Sequence, residues 1–556
     1  MSEHHSRRGD DHRRSEGGSE RRRSDGGDRR RGEGDDRRRS EGGDRRRGAS
    51  GHERSGSRGR GEQRRGWSSQ RPSERRRTTT SSRAVAFEAL EAVREDDAYA
   101  NLVLPQVLRR HRLAPRDAAF ATELFYGSLR ARGRLDAVLA ACVDRPLEKI
   151  DPAALDVLRL GAYQLLDMAV APHAATSETV ALARQRLGSG AGGFVNAVLR
   201  RVGERSLKEW LQEIAPSRES DEVGHLAVVH SHPHWVVRAL GDALVAHGRD
   251  RAELDDLLAA QNTPPAVSLV MRPGLTDLDE MIDAGATEGH LSVFAASWPS
   301  GDPGGADPVR EGRAAVQDEG SQLMALALGL GADDLVQDEN GRWLDLCAGP
   351  GGKTALLAGL TIDHDAELLA NEVQEHRTRL VERAVASLVD AGAEVELRTG
   401  DGRDIGREMP DTFSRILADV PCTGLGALRR RPESRWRRSP ADVGQLGDLQ
   451  RQLLHSALDA TAPGGVLAYV TCSPHVAETL LVVKDVLRRR DDVEQLDARD
   501  AVRAGLRPEA VDTDLGDGPS VQLWPHVHGT DAMFLALLRR RPAEASATPT
   551  EETGPR

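Results

Sequence analysis

At 556 residues the chain is too long for one compact hydrophobic core, so two or three domains are expected. Its net charge of −11 is uneven: residues 1–80 hold 25 Arg against 15 Asp or Glu, a surplus of 10 positive charges on an otherwise acidic protein. The absence of any apolar run of about 18 residues, and of an apolar leader behind the Arg-rich start, argues against membrane insertion and secretion. The four cysteines, Cys142, Cys347, Cys422 and Cys472, are scattered without a CxxC pair, which argues against a disulfide framework or a zinc site and for a cytoplasmic protein.

Residues 1–80 carry an octapeptide repeat with Arg triplets starting at Arg21, Arg29, Arg37 and Arg45. Such a segment has too little apolar surface to offset its ordering entropy, so disorder is expected. A basic tail on an acidic body suits a polyanion such as RNA; a tail that only aids solubility is the plainer alternative. Residues 81–215 read as all-helical, with Phe87, Leu90 and Val93, then Phe120, Leu124, Phe125 and Leu129, at helical spacing. Asp151 before Pro152 predicts a capped helix start with an apolar face through Leu155, Leu158 and Ala162. Residues 216–312 are a small mixed α/β region, with a helix beginning near His234, a strand at PAVSLVMRP and a loop at 300–309. From 313 to 541 strands and helices alternate as in a doubly wound α/β domain, and 542–556 form a polar tail. The clearest strands are RWLDLCAG, AELLANE, EVELRTG, RILADVPC and GVLAYVTCS.

The first of these strands runs into Cys347-Ala348-Gly349-Pro350-Gly351-Gly352-Lys353-Thr354, which opens a helix. Glycines there let the backbone turn sharply and approach a ligand at the sheet's carboxyl edge. A phosphate-binding P-loop would need glycine where Cys347 stands, and the glycine spacing does not follow the dinucleotide fingerprint. The next strand ends on Glu372, placed to accept both hydroxyls of a ribose. An adenosine-type ligand without a pyrophosphate follows, and S-adenosylmethionine fits; another nucleotide enzyme is the alternative.

Asp419-Val420-Pro421-Cys422 and Thr471-Cys472-Ser473 end the fourth and fifth strands, on the same edge as the glycine loop. A single cysteine at a strand end is ordinarily a small buried apolar residue. Two on one edge, one behind Asp-x-Pro, suit covalent chemistry on a pyrimidine. Carbon 5 of cytosine becomes nucleophilic only once a thiolate has added to carbon 6. A helix starting near His475 would lower the pKa of the Cys472 thiol through its dipole. A carboxyl group beside the base can hold the exocyclic amine and ring nitrogen 3, and a second group must assist loss of the carbon 5 proton and expulsion of the thiolate.

CAGPGGKT, DVPCTGLG and TCS, in this order, resemble the Nol/Nop/Sun family of RNA cytosine-5 methyltransferases over about residues 313–540. The helical region, through LFYGSLRARGRLD and GGFVNAVLRR, resembles the NusB-like RNA-binding domain that precedes this catalytic domain in one ribosomal branch of the family. The resemblance implies a Rossmann-like class I methyltransferase domain, with Cys472 as nucleophile and Cys422 assisting product release. DNA cytosine methyltransferases use a Pro-Cys nucleophile, so the reversed assignment is the alternative. It further implies that Cys347 to Lys353 line the methionine and adenosine, that Glu372 holds the ribose, that Asp401 lies by the adenine and that Asp419 sits between cofactor and base. Lys353 either contacts the target nucleotide or caps backbone. The implied substrate is 16S ribosomal RNA at the cytosine conventionally numbered 967, bound by a monomer without a metal. Transfer RNA is the runner-up substrate, and an inactive RNA-binding or antitermination-type scaffold is the non-enzymatic alternative. One departure is visible: the family often shows Glu-Asn after TCS, whereas here Glu478 precedes Thr479.

The target base must leave its stack to be attacked, so RNA has to be held close by. Arg429, Arg430, Arg431 and Arg435, just after the Pro-Cys motif, are candidates to hold phosphates, with Trp436 to stack on a base. A solvated charged loop is the plain alternative.

Overall fold

The structure, a computed structural model, describes residues 81–96, 98–336 and 341–542. The expectations for the Arg-rich tail and the polar C-terminal tail fall outside the described residues.

Seven helices open the described chain: α1 Ser81–Glu95, α2 Ala100–His111, α3 Pro115–Arg130, α4 Arg132–Cys142, α5 Pro152–Leu166, α6 Pro172–Leu187 and α7 Ser189–Val202. The predicted cap is present: the Asp151 carboxylate accepts from Ala154 N–H at 2.9 Å, and Pro152 starts α5 where no donor is needed. Phe87, Leu90, Val93, Leu124, Phe125, Leu155 and Leu158 all enter one buried cluster, because helical spacing puts them on the inward faces. Inside it, Gln164 accepts from Arg83 at 2.6 Å and donates to Thr179 at 3.2 Å, tying α1, α5 and α6 together.

Short helices follow, including the expected one from His234, here His234–Ala246. A four-stranded antiparallel sheet then forms in the order β2-β3-β1-β4, from β1 Val267–Met271, β2 Thr287–Glu288, β3 Ala295–Trp298 and β4 Ala314–Val316. Its last strand lies past residue 312, and the supposed loop at 300–309 contains the short helix Asp307–Arg310.

The catalytic-type sheet contains β5 Arg342–Asp345, β6 Glu367–Glu372, β7 Glu394–Thr399, β8 Phe413–Asp419, β9 Thr461–Thr471, β10 Val493–Leu496, β11 Val521–Gln522 and β12 Phe534–Arg540. Its path runs β10-β12-β9-β8-β5-β6-β7, with β11 attached to β12. Strands β5 to β9 are mutually parallel, and β12 is antiparallel to both neighbours. Alternating residues face opposite layers of helices: Trp343, Leu368 and Leu417 enter one core, Leu344, Leu369 and Ile416 the other. The strand order reverses between β5 and β8, the kind of switch point at whose carboxyl ends open α/β sheets bind their ligands. Among the described residues no helix is long and apolar enough to cross a membrane.

Candidate active site

Everything the sequence singled out for chemistry lies on one edge of the large sheet. The loop after β5 is shaped by backbone bonds: Ala348 N–H donates to Asn371 O and Gly351 N–H to Ala348 O. Gly349 and Gly351 have φ of 58° and 94°, the left-handed region that L side chains avoid. A Cβ on Gly351 would also meet Ala384 Cβ at 2.7 Å, so only glycine lets the loop pack on helix Glu375–Asp390. Helix Gly352–Asp363 begins directly behind this turn. Glu372, buried at the end of β6, accepts from Gly349 N–H and Gln374 N–H, each at 3.0 Å, which fixes its carboxylate beside the loop. Asp401 follows β7 and pairs with Arg403 at 2.6 Å. This pairing is the main cause of its lowered pKa. Cys347 is half-buried, and burial pushes its thiol well above the usual range.

Asp419 ends β8 and takes a 2.8 Å ion pair from Lys353 Nζ. Burial works against the lysine's charge, but the Asp419 carboxylate more than restores it, and its pKa is raised. Lys353 thereby ties the cofactor-type loop to the Pro-Cys motif and does not cap backbone.

The two cysteines meet: Cys422 Sγ lies 3.3 Å from Cys472 Sγ, although 50 residues separate them. Their hydrogen bond lowers the Cys472 thiol and raises that of Cys422. The helix expected from His475 starts later: residues Val476–Glu478 form a single 3-10 turn, and the α-helix runs over Leu480–Arg489.

One residue escaped the sequence reading. Asp345, at the end of β5, is 1% exposed; its Oδ2 accepts from Thr354 at 2.7 Å, while its Oδ1 has no hydrogen-bond partner. Burial raises its carboxyl to about 7. Its signal was an aspartate inside an otherwise apolar strand end, LDLC.

The basic stretch after the Pro-Cys motif departs most from expectation. Arg429 is buried, with its guanidinium 3.4 Å from Asp531, and Arg430 reaches Asp318 at 2.5 Å. Arg435 is fully buried, donating to Asn262 Oδ1 at 2.8 Å and to the Ser231 carbonyl at 3.1 Å. Burial lowers its pKa to about 9. Trp436 lies against Gly133 so closely that a methyl group there would come within 2.5 Å of the indole. Arg429 and Arg430 are thus held by carboxylates of their own α/β domain, while Arg435 and Trp436 reach across to the helical and mixed regions, so all four side chains are engaged within the protein. Their neighbours do the same: Glu433 accepts from Ala100 N–H, and Arg437 donates to the Val93 and Ala98 carbonyls. Arg431 alone of the five candidates is exposed, 5.1 Å from the Tyr99 ring and close enough to favour the Cys472 thiolate.

A doubly wound sheet with a glycine loop, an acidic strand end and no P-loop defines a Rossmann-like methyltransferase domain behind a helical domain. Comparison with known proteins agrees. Residues 333–539 match the family described as 16S rRNA methyltransferase RsmB/F, and residues 80–204 match the NusB family. A Mycobacterium tuberculosis protein, itself only provisionally described as a methyltransferase, is 52% identical over 84% of this chain and 98% of its own. The ribosomal RNA small subunit methyltransferase B of Klebsiella pneumoniae is 30% identical over 83% of this chain and 98% of its own. The crystal structure of PH0851 shares the fold, with a TM-score of 0.66 at 21% identity, covering 82% of this chain and 98% of that one. The chain belongs to the RsmB/F family of ribosomal RNA methyltransferases.

Proposed function

We propose that this chain transfers a methyl group from S-adenosylmethionine to carbon 5 of a cytosine in 16S ribosomal RNA, through a covalent bond between Cys472 and carbon 6. The observation that carries the reading is the pair of thiols 3.3 Å apart at the switch-point edge, beside Asp419 and Lys353. The name of the Klebsiella relative favours ribosomal RNA over transfer RNA.

The residues present fit the cofactor. The unpartnered Oδ1 of buried Asp345 suits the cationic α-amine of the methionine portion, because a buried carboxylate without a partner is costly. Gly349, Pro350, Gly351 and Gly352 give the backbone a close approach, Glu372 suits the ribose hydroxyls, and Asp401 with the exposed side chain of Val373 suits the adenine. S-adenosylmethionine supplies an electrophilic methyl group on a sulfonium.

The Cys472 thiolate, favoured by the hydrogen bond from Cys422, attacks carbon 6 and leaves an enamine nucleophilic at carbon 5. Asp419 presents a carboxyl group to the base and Lys353 fixes its orientation. After methyl transfer, loss of the carbon 5 proton to solvent base restores the double bond and expels Cys472. The Cys422 thiol, held at 3.3 Å, donates to the departing sulfur. Cys472→Ala should reduce methyl transfer to 16S ribosomal RNA by about 10³-fold or more, as expected for loss of a covalent nucleophile. Cys422→Ala should instead accumulate a protein–RNA adduct that survives denaturing electrophoresis. Wild-type activity in Cys472→Ala rules the mechanism out, and an adduct seen only in that variant reverses the two roles. Bisulfite mapping of RNA from cells lacking the protein identifies the modified nucleotide.

A further inference from the structure

Glu478 lies outside the machinery described so far, yet its fully buried carboxylate sits between the two cysteine loops. Oε1 accepts from Thr423 N–H at 2.7 Å and from Gln450 Nε2 at 3.3 Å. Oε2 accepts from the Thr423 hydroxyl at 2.5 Å and from the Ser473 hydroxyl at 2.7 Å. Thr423 directly follows Cys422 and Ser473 directly follows Cys472. The two hydroxyls are 3.2 Å apart, alongside thiols that are 3.3 Å apart. A second bond closes the turn that carries the glutamate, from Tyr469 Oη in β9 to the Glu478 carbonyl at 2.8 Å.

The four donors around the carboxylate are neutral. A buried charge held by neutral donors is costly unless its acceptor capacity is filled, and here two oxygens take four bonds, three from the two cysteine loops and one from Gln450 in the helix Pro440–Ala460. A neutral side chain of the same shape offers one acceptor oxygen and must turn a donor toward Thr423 and Ser473. The negative charge also faces Cys422 and adds to the forces keeping that thiol protonated, while it is not among the main influences on Cys472. The other charged or titratable groups near the pair are Asp419, Lys353, Arg431 and Tyr469.

We propose that Glu478 is a positioning residue that clamps the Pro-Cys and Thr-Cys-Ser loops together and so assigns the two sulfurs their separate roles, one as nucleophile and one as hydrogen-bond donor. The proposal rests on the two-cysteine reading above. Glu-Gln exchange preserves the volume and tests the charge and the acceptor count.

In folded Glu478→Gln, kcat for methyl transfer should fall at least tenfold, with KM for RNA and for the methyl donor within about twofold of wild type. A second measurement needs neither RNA nor donor. Iodoacetamide at pH 7.5, followed by peptide mass analysis, should label Cys472 in preference to Cys422 in wild type, and the Cys422:Cys472 labelling ratio should rise at least fivefold in the variant. Ser473→Ala, which removes one strut and leaves the charge, should lower kcat while changing the labelling ratio less, and it serves if Glu478→Gln does not fold. Unchanged kcat and an unchanged labelling ratio in folded Glu478→Gln overturn the clamp. Retained activity in Cys472→Ala overturns the two-cysteine mechanism, a separate result that the labelling experiment does not depend on.

Discussion

The stretch that follows the end of β8 divides into two halves of opposite composition and opposite behaviour, the first with a single charged residue and the second mostly charged. Residues 419–428 carry the candidate chemistry: Asp419 pairs with Lys353, Cys422 meets Cys472, and Asp345 keeps an oxygen without a partner. Residues 429–438, which contain six arginines, turn most of their guanidinium groups inward onto Asp318, Asp531, Asn262 and the carbonyls of the helical domain. One half leaves hydrogen-bonding capacity for a ligand and the other spends it on contacts within and between domains. A run of positive charge beside an active site therefore says little about RNA until the acceptors around it are known.

The comparison breaks most visibly at Arg435. Arg435→Met should lower stability by about 3 kcal/mol, because several buried carbonyl and amide acceptors lose their donor, and thermal unfolding reads this directly. An unchanged melting temperature would mean that the second half is not structural. Gly133→Ala, which forces the Trp436 indole out of its seat, should cost about 1–3 kcal/mol by the same measurement, with the overpacking falling at the domain junction.

The open half is sharpened by pH. Burial raises the Asp345 carboxyl to about 7. The folded state without ligand thus holds a proton that the unfolded state has already lost, and this group's contribution to stability falls as pH rises from the ordinary carboxylate range toward 7 and is level above it. A cationic ligand group prefers the ionised form, so affinity for S-adenosylhomocysteine should rise about tenfold from pH 6 to pH 8 as the ionised fraction grows. Calorimetry should show that rise in wild type and a weak, flat profile in Asp345→Asn. An equal slope in both would remove Asp345 from the ligand site.

The smallest effect belongs to Arg431, the exposed member of the second half. Arg431→Ala should leave the melting temperature unchanged, weaken RNA binding a few-fold and reduce the slope of log affinity against log salt by about 1. An unaltered slope would leave all five basic-stretch candidates without a part in RNA binding.

Some of this was readable from residues alone. The helical region was legible because Phe87, Leu90 and Val93 repeat at the helix period and Asp151-Pro152 marks a start, both local signals. The parallel strands were legible as apolar runs, and the ends of β5, β6, β8 and β9 marked the functional edge because the doubly wound topology puts parallel strand ends together. The insertion of antiparallel β12 between β9 and β10 was not legible, since pairing order depends on partners far away in the chain. Asp345 was missed because its importance lies in a vacant acceptor, which no residue code records.

Local composition was enough to single out the candidates for chemistry: two cysteines, a glycine turn and acidic strand ends on one predicted sheet edge. Only the packed chain decided how they act on one another. The 3.3 Å approach of two sulfurs, the Lys353–Asp419 pair and the inward turn of Arg435 all join residues at least 50 positions apart. Distance, burial and the filling of donors and acceptors are properties of that packing, and they determine whether a charged or nucleophilic side chain does chemistry, binds a ligand or holds the molecule together.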